Sequence, residues 1–207
     1  MDRRSALKNL TISIGYAVAA PTLFSLLSSC NSKVETWKPV YLSEDQKHMV
    51  ENLVDIILPS SNTPGALDVN VPQFIDIMYC DIEQQNNQQL FQKGSKVFQE
   101  KFEGMFGKNV IKGSKEEFQE LFESYFKLSD EDTQKVLSNQ KLNERKIGDD
   151  EKSDYYMYKF LFSVRYYTLF GYYTSEKVGK EVLNYDPTPG VYQGCIPLED
   201  VGNAWSL

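Results

Sequence analysis

The sequence predicts an all-α fold, on three observations. Apolar residues recur at three- and four-residue spacing through most of the chain after Tyr41. Helix starts are marked by capping segments at Ser43, Ser114 and Ser129. No stretch alternates apolar and polar residues over the length that a half-buried strand requires. A length of 207 residues suits one core, since a domain runs to about 150 residues. The expectation is a single compact domain of about six or seven helices around a buried aromatic C-terminal helix, with an irregular Pro/Gly-rich tail behind it. Its parts are a signal region over 1–30, a tether over 31–40, the helical domain over 41–184 and an extended tail over 185–207.

The first thirty residues read as an export signal: a charged start, MDRRSALK, a moderately apolar run of small residues, and Cys30 where that run stops. Pro21 and the Gly, Ser and Thr content make the run a poor membrane span. Arg3 and Arg4, followed by Ser5, Ala6, Leu7 and Lys8, resemble the signal of the twin-arginine pathway, which moves folded proteins; the plainer reading is two basic residues of an ordinary secretory signal. Leu27-Ser28-Ser29-Cys30 resembles the lipobox of bacterial lipoproteins, in which the cysteine thiol is acylated. Together these place the chain in the bacterial cell envelope, on the periplasmic side, anchored to the membrane by lipid. The linker after Cys30 has little periodicity and reads as a tether.

In the folded part, Ser43 and Gln46 fit a capping box, and Met49, Val50, Leu53, Ile56 and Ile57 give the first helix an apolar face until Pro59. A loop follows. Val71-Pro72 opens a second helix whose apolar positions are Phe74, Ile75, Ile77, Met78 and Ile82. A third carries Leu90, Phe91, Val97, Phe98, Phe102, Met105 and Phe106 and ends at Gly107, with Gly94 inside it marking a close crossing. Ser114 with Glu117 starts a fourth over Phe118, Leu121, Phe122, Tyr125 and Phe126, and Ser129 with Asp132 a fifth over Val136 and Leu137. Residues 143–153 read as a charged surface loop or frayed helix end. Tyr155 to Tyr173 is apolar or aromatic all around the helical wheel, the pattern of a helix buried on most sides and the central post of the domain. After a short run, SEKVGKEVL, the prolines at 187, 189 and 197 and the glycines at 190 and 194 prevent a helix from continuing.

The formal net charge is −7, and loss of the +2 carried by Met1 to Ser29 leaves −9, which argues against nucleic acid as a partner. No catalytic, cofactor-binding or metal-ligating set stands out. The single histidine, His48, has no second histidine, CxxC or HExxH beside it, and no glycine-rich loop follows a strand. His48 reads as an exposed helix-surface residue or, with a positioned second group, a general base. Arg165 is paired with a carboxylate or helix-end carbonyls, or snorkels outward, or binds a substrate carboxylate; the tyrosines near it are either core with hydroxyls at the edge or a platform for sugar rings. Cys80 and Cys195 can join each other, Cys195 can pair with another chain, or Cys80 is a buried small hydrophobe.

The twin-arginine start, the segment PGALDVNVPQFID (Pro64 to Asp76) and the block GYYTSEKVGKEVLNYDPTPGVYQGCIP (Gly171 to Pro197) resemble the gluconate 2-dehydrogenase subunit 3 family. The resemblance covers most of the chain after Tyr41 and is most specific in its C-terminal block. It implies a non-catalytic accessory subunit of a membrane-associated, FAD-dependent sugar or polyol dehydrogenase. No cofactor is expected in this chain, and FAD is expected in a large flavoprotein partner of the glucose-methanol-choline (GMC) type. A cytochrome c subunit often receives the electrons. The small subunit brings its signal-less partner across the membrane already folded. The alternative from another class is a free-standing envelope lipoprotein that binds a glycan or a protein through its tyrosine-rich region. On the first reading the tail forms the main contact with the flavoprotein, through Tyr185, Pro187, Pro189, Gly190, Tyr192, Cys195 and Pro197.

Overall fold

Helix α1 (Glu44–Ile57) begins where its capping residues require in the computed structural model, which describes residues 37–185, 190 and 195–205. The Ser43 hydroxyl accepts from the Gln46 N–H, and Gln46 Oε1 accepts from the Ser43 N–H at 3.0 Å, so two end donors are satisfied reciprocally. Met49, Val50, Leu53 and Val54 are buried beneath it. Asn70, in the left-handed region at φ 57°, turns the chain into α2 (Val71–Ile77), with Pro72 in the first turn.

The second helix departs from the expected face. Burial falls on Val71, Ile75 and Tyr79, whereas Ile77 and Ile82, expected in the core, are exposed. Ile77 lies on the outer face of α2, and after it the backbone widens into a π turn over Met78–Ile82, whose altered register carries the Tyr79 ring inward and leaves Cys80 and Ile82 outside. Cys80 is therefore not the small buried hydrophobe that was one of its readings.

Helix α3 (Gln85–Phe106) and helix α6 (Lys152–Tyr173), each of 22 residues, form the centre of the domain. They meet at Gly94, where a Cβ would stand 2.6 Å from the Phe160 Cβ, so only glycine permits the approach. Phe91, Phe98 and Phe160 interlock there, with ring centroids 5.1 Å apart for Phe91–Phe160 and 5.6 Å for Phe98–Phe160, while Phe102, farther along α3, packs on Phe118 at 4.8 Å. Helix α4 (Lys115–Phe126) adds Phe118 and Leu121 and starts with the expected reciprocal capping box. Helix α5 (Asp130–Gln140) is capped by Ser129, but the Asp132 carboxylate accepts a hydrogen bond from the serine hydroxyl instead of reaching back to the backbone, so the cap is one-sided. The charged connection that follows is not wholly a solvated loop. It contains a 3-10 turn, Glu144–Lys146, and sends Ile147 into the core.

The aromatic helix is the central post, as its wheel predicts. Tyr155, Met157, Tyr158, Phe160, Leu161, Val164, Tyr167 and Tyr172 are buried, and several tyrosines spend their hydroxyls on backbone carbonyls at the core's edge: Tyr155 on Leu142, Tyr158 on Tyr125, Tyr172 on Pro64. Helix α7 (Glu176–Glu181) follows directly.

The tail contains one more helix than expected, the four-residue α8 (Leu198–Val201), which brings the α-helices among the described residues to eight instead of six or seven. Pro197, its φ already near helical values, precedes it, and Glu199 and Asp200 lie in its first turn. Beyond α8 the chain returns to the end of α7. The Asn184 N–H donates to the Ala204 carbonyl at 2.9 Å, and the Asn203 side chain donates to Val182 at 2.6 Å. The described residues contain no strand, only the isolated bridge Asn184–Trp205, and no helix among them is long and apolar enough to cross a membrane.

Candidate partner-binding face

Two segments far apart in the chain, Pro64 to Asp76 and Gly171 onward, meet at one end of α6. The Tyr172 hydroxyl donates to the Pro64 carbonyl at 2.8 Å. At Gly171 a Cβ would lie 2.6 Å from the Phe74 ring, so the ring packs flat on backbone. Asp76, 2% exposed, closes the other side of α2: its two oxygens accept the backbone N–H groups of Val40, Tyr41 and Leu42 at 2.8, 2.9 and 2.8 Å. The carboxylate thus ties the chain just ahead of α1 to α2. In the loop between α1 and α2, the Gly65 N–H and the Ser60 hydroxyl hold the Asp68 carboxyl below its usual range.

Outside this junction lies a strip of aromatic surface. Tyr166, Phe170 and Tyr173 stand at i, i+4 and i+7 on α6 and are 61%, 43% and 53% exposed. Tyr166 and Phe170 stack at 6.0 Å and 19°, and Phe170 leans on Phe74 at 5.8 Å. Tyr173 continues the strip into a groove of about 500 Å³, which Leu183, Tyr185 and Trp205 also line. Six aromatic side chains are exposed among the described residues, and all but Phe126 belong to this strip and groove. Concentrated aromatic surface of this kind carries binding energy, because large rigid rings give area at low entropic cost.

Of the tail positions proposed from sequence, Tyr185, Gly190, Cys195 and Pro197 are exposed, and Tyr185 lies in the groove. Pro187, Pro189 and Tyr192 lie outside the described residues, as do Arg3, Arg4 and Cys30. Cys80 and Cys195 are exposed free thiols, and a hydrogen bond from the Cys80 thiol to the Asp81 carboxylate holds the thiol pKa above its ordinary value. His48 is half-buried, not a free surface residue. Its ring sits edge-on to Phe118 at 5.6 Å with Nε2 3.3 Å from the Asn52 amide, an arrangement that serves packing. Arg165 points to solvent. No group of ligating side chains suited to a metal ion occurs among the described residues.

Sequence reasoning placed the flavoprotein contact in the tail and read the tyrosines of this helix either as core or as a platform for sugar rings, without singling out Tyr166, Phe170 and Tyr173 as one exposed face. Their common spacing was the one signal of a shared face, and it was hidden because α6 is apolar on nearly every side.

The protein-family model that describes gluconate 2-dehydrogenase subunit 3 matches residues 44–190. The chain belongs to the gluconate 2-dehydrogenase subunit 3 family. No curated protein and no solved structure matches it. As a member of this family the chain is a subunit of a dehydrogenase complex and works with partner subunits. The matched span opens on the first residue of α1 and takes in both segments of the junction and Tyr185, so the strip and part of the groove are built from family sequence.

Proposed function

We propose that this chain is the non-catalytic accessory subunit of a membrane-associated, FAD-dependent sugar or polyol dehydrogenase, and that it docks a GMC-type flavoprotein through the aromatic strip of α6 and the groove at its end. The observation that carries the reading is the gathering of Tyr166, Phe170, Tyr173, Tyr185 and Trp205 on one continuous surface. Such a surface on a family subunit suits a large protein partner better than solvent. The flavin belongs to the partner in this reading. Arg3 and Arg4 supply the export signal for both chains, and Cys30 supplies the lipid anchor on the periplasmic side. A cytochrome c subunit is a further member of the complex.

Affinity purification of the full chain from its native membrane, followed by an absorbance scan, tests the reading. A co-purified protein of flavoprotein size with flavin absorbance is expected, with haem bands if the cytochrome is present. Replacing Arg3 and Arg4 by lysine should leave both proteins in the cytoplasm. A partner that still reaches the envelope would remove the export role, and a chain that purifies with no flavoprotein would remove the whole proposal.

A further inference from the structure

Gly202, Asn203, Ala204 and Trp205 are all exposed, so burial does little to hold them where they are. Hydrogen bonds around one residue, Asn184, do the holding. Its side-chain Nδ2 donates to two carbonyls of the returning chain, that of Val201 and, at 2.6 Å, that of Asn203. Its backbone N–H donates to the Ala204 carbonyl at 2.9 Å, and Asn203 answers through its own Nδ2 to the Val182 carbonyl. Gly202 permits the close approach. It lies in the left-handed region at φ 68°, and a Cβ there would stand 3.3 Å from Asn184 Oδ1.

This latch builds one side of the docking groove. Tyr185 follows Asn184 in the chain, and Trp205 follows Ala204, which accepts the Asn184 N–H, so the pairing places two of the groove's three aromatic rings beside one bond. The third ring, Tyr173, comes from the end of α6. Other polar side chains of the groove are engaged on their own helices. The Thr174 hydroxyl donates to Phe170, the Ser175 hydroxyl caps α7 and donates to Tyr172, and Lys180 closes on Glu176. None of these bonds reaches the returning chain. An aspartate in place of Asn184 would keep the shape, lose both side-chain donors and set a carboxylate against two carbonyls.

We propose that Asn184 is a positioning residue of the partner interface: its amide latches residues 201–203 and so stands Trp205 in the groove wall before the partner arrives. The inference rests on the docking reading given above. A ring fixed in advance costs the complex less to order than a free one, so the latch contributes affinity through Trp205.

Time-resolved fluorescence anisotropy of the detergent-solubilised full chain carrying Trp37→Phe, which leaves Trp205 as the single tryptophan, tests the latch without the partner. Trp205 should rotate with the domain. Asn184→Asp should add a fast component of local motion, while the thermal midpoint stays within about 2 °C of the parent. A Trp205 that rotates freely in both chains, or slowly in both, would overturn the latch. Asn203→Asp, which removes the bond to Val182 from the other side, should act in the same direction and serves if Asn184→Asp misfolds. Titrated against the co-purified flavoprotein, Asn184→Asp should weaken binding by about tenfold, and the double variant with Trp205→Ala should bind no worse than Trp205→Ala alone. Unchanged binding by Asn184→Asp, or losses that multiply in the double variant, would overturn the positioning role. If the parent chain binds no flavoprotein, the docking reading falls, and the anisotropy still decides whether Asn184 holds Trp205.

Discussion

The Tyr172 hydroxyl donates to the carbonyl of Pro64 across 108 residues of chain, and this one bond joins the two segments most characteristic of the sequence. Tyr172 is 6% exposed, so its loss leaves the carbonyl with a poor substitute. Tyr172→Phe keeps the ring and should cost about 1 kcal/mol in urea unfolding, with the m-value unchanged. A wild-type midpoint would mean that water replaces the bond at no cost.

Asp76 carries a larger load, since three backbone N–H groups from Val40 to Leu42 depend on it. Charge-assisted bonds of this kind are about twice as strong as neutral ones, and removing the acceptor strands the donors. Asp76→Ala should lower stability by about 3 kcal/mol. Hydrogen exchange at Tyr41 and Leu42 should accelerate by more than exchange in the core of α6. Uniform acceleration across the chain would show that Asp76 holds up the whole fold and not the tether junction in particular.

How much of this was legible in the sequence follows from what each signal reports. Caps and spacing report local structure, so α1, α4 and α5 begin directly after their marked serines, α3 ends at its marked glycine, and Gly94 marked its crossing. The π turn at Met78 escaped because no residue type specifies it; it arises from fitting Tyr79 beneath Tyr41 and Phe91, with ring centroids at 5.7 and 4.2 Å. The aromatic strip escaped for the reverse reason. Tyr, Phe and Tyr at 166, 170 and 173 read as core by composition, and only tertiary packing decides which side of an all-apolar helix remains uncovered. Asp76 was invisible as an anchor, since a lone aspartate on a helix is usually solvated and its three partners lie more than thirty residues away.

Glu144 gives the fold a dependence on pH. The Lys93 ammonium, with the Tyr156 hydroxyl beside it, holds the Glu144 carboxyl below the usual carboxylate range. A carboxylate whose pKa is lower in the folded than in the unfolded chain stabilises above its unfolded value, and that contribution disappears as the pH falls through the folded value. The pair is partly exposed, so screening keeps the effect to a fraction of a kcal/mol up to about 1 kcal/mol. Glu144→Gln should therefore lower stability at pH 7 and match the parent once both are measured well below pH 4 or so. A deficit that persists undiminished in acid would assign the loss to packing.

The aromatic strip separates binding from folding. Tyr166, Phe170 and Trp205 present half or so of their surface to solvent, so truncating one removes little core contact and should leave the thermal midpoint within about 2 °C of the parent. At the centre of an interface the same truncation removes a large desolvated ring, typically worth about 2 kcal/mol or more, or about thirtyfold in affinity. Tyr166→Ala, Phe170→Ala and Trp205→Ala should thus each release the partner subunit from the affinity-purified complex while circular dichroism stays unchanged. Point variants are the sharper test than removing the tail from Tyr185 onward, because truncation also deletes the bonds that Asn203 and Ala204 make to Val182 and Asn184 and so frees the end of α7. Two controls fix the interpretation. Phe126→Ala, at the one exposed aromatic among the described residues outside the strip and groove, should retain the partner. Phe170→Asp, which adds a charge that cannot be buried without a counter-ion, should release it more completely than Phe170→Ala. Retention of the partner by all three strip variants, or its release by Phe126→Ala to the same degree, would place the interface elsewhere on the domain.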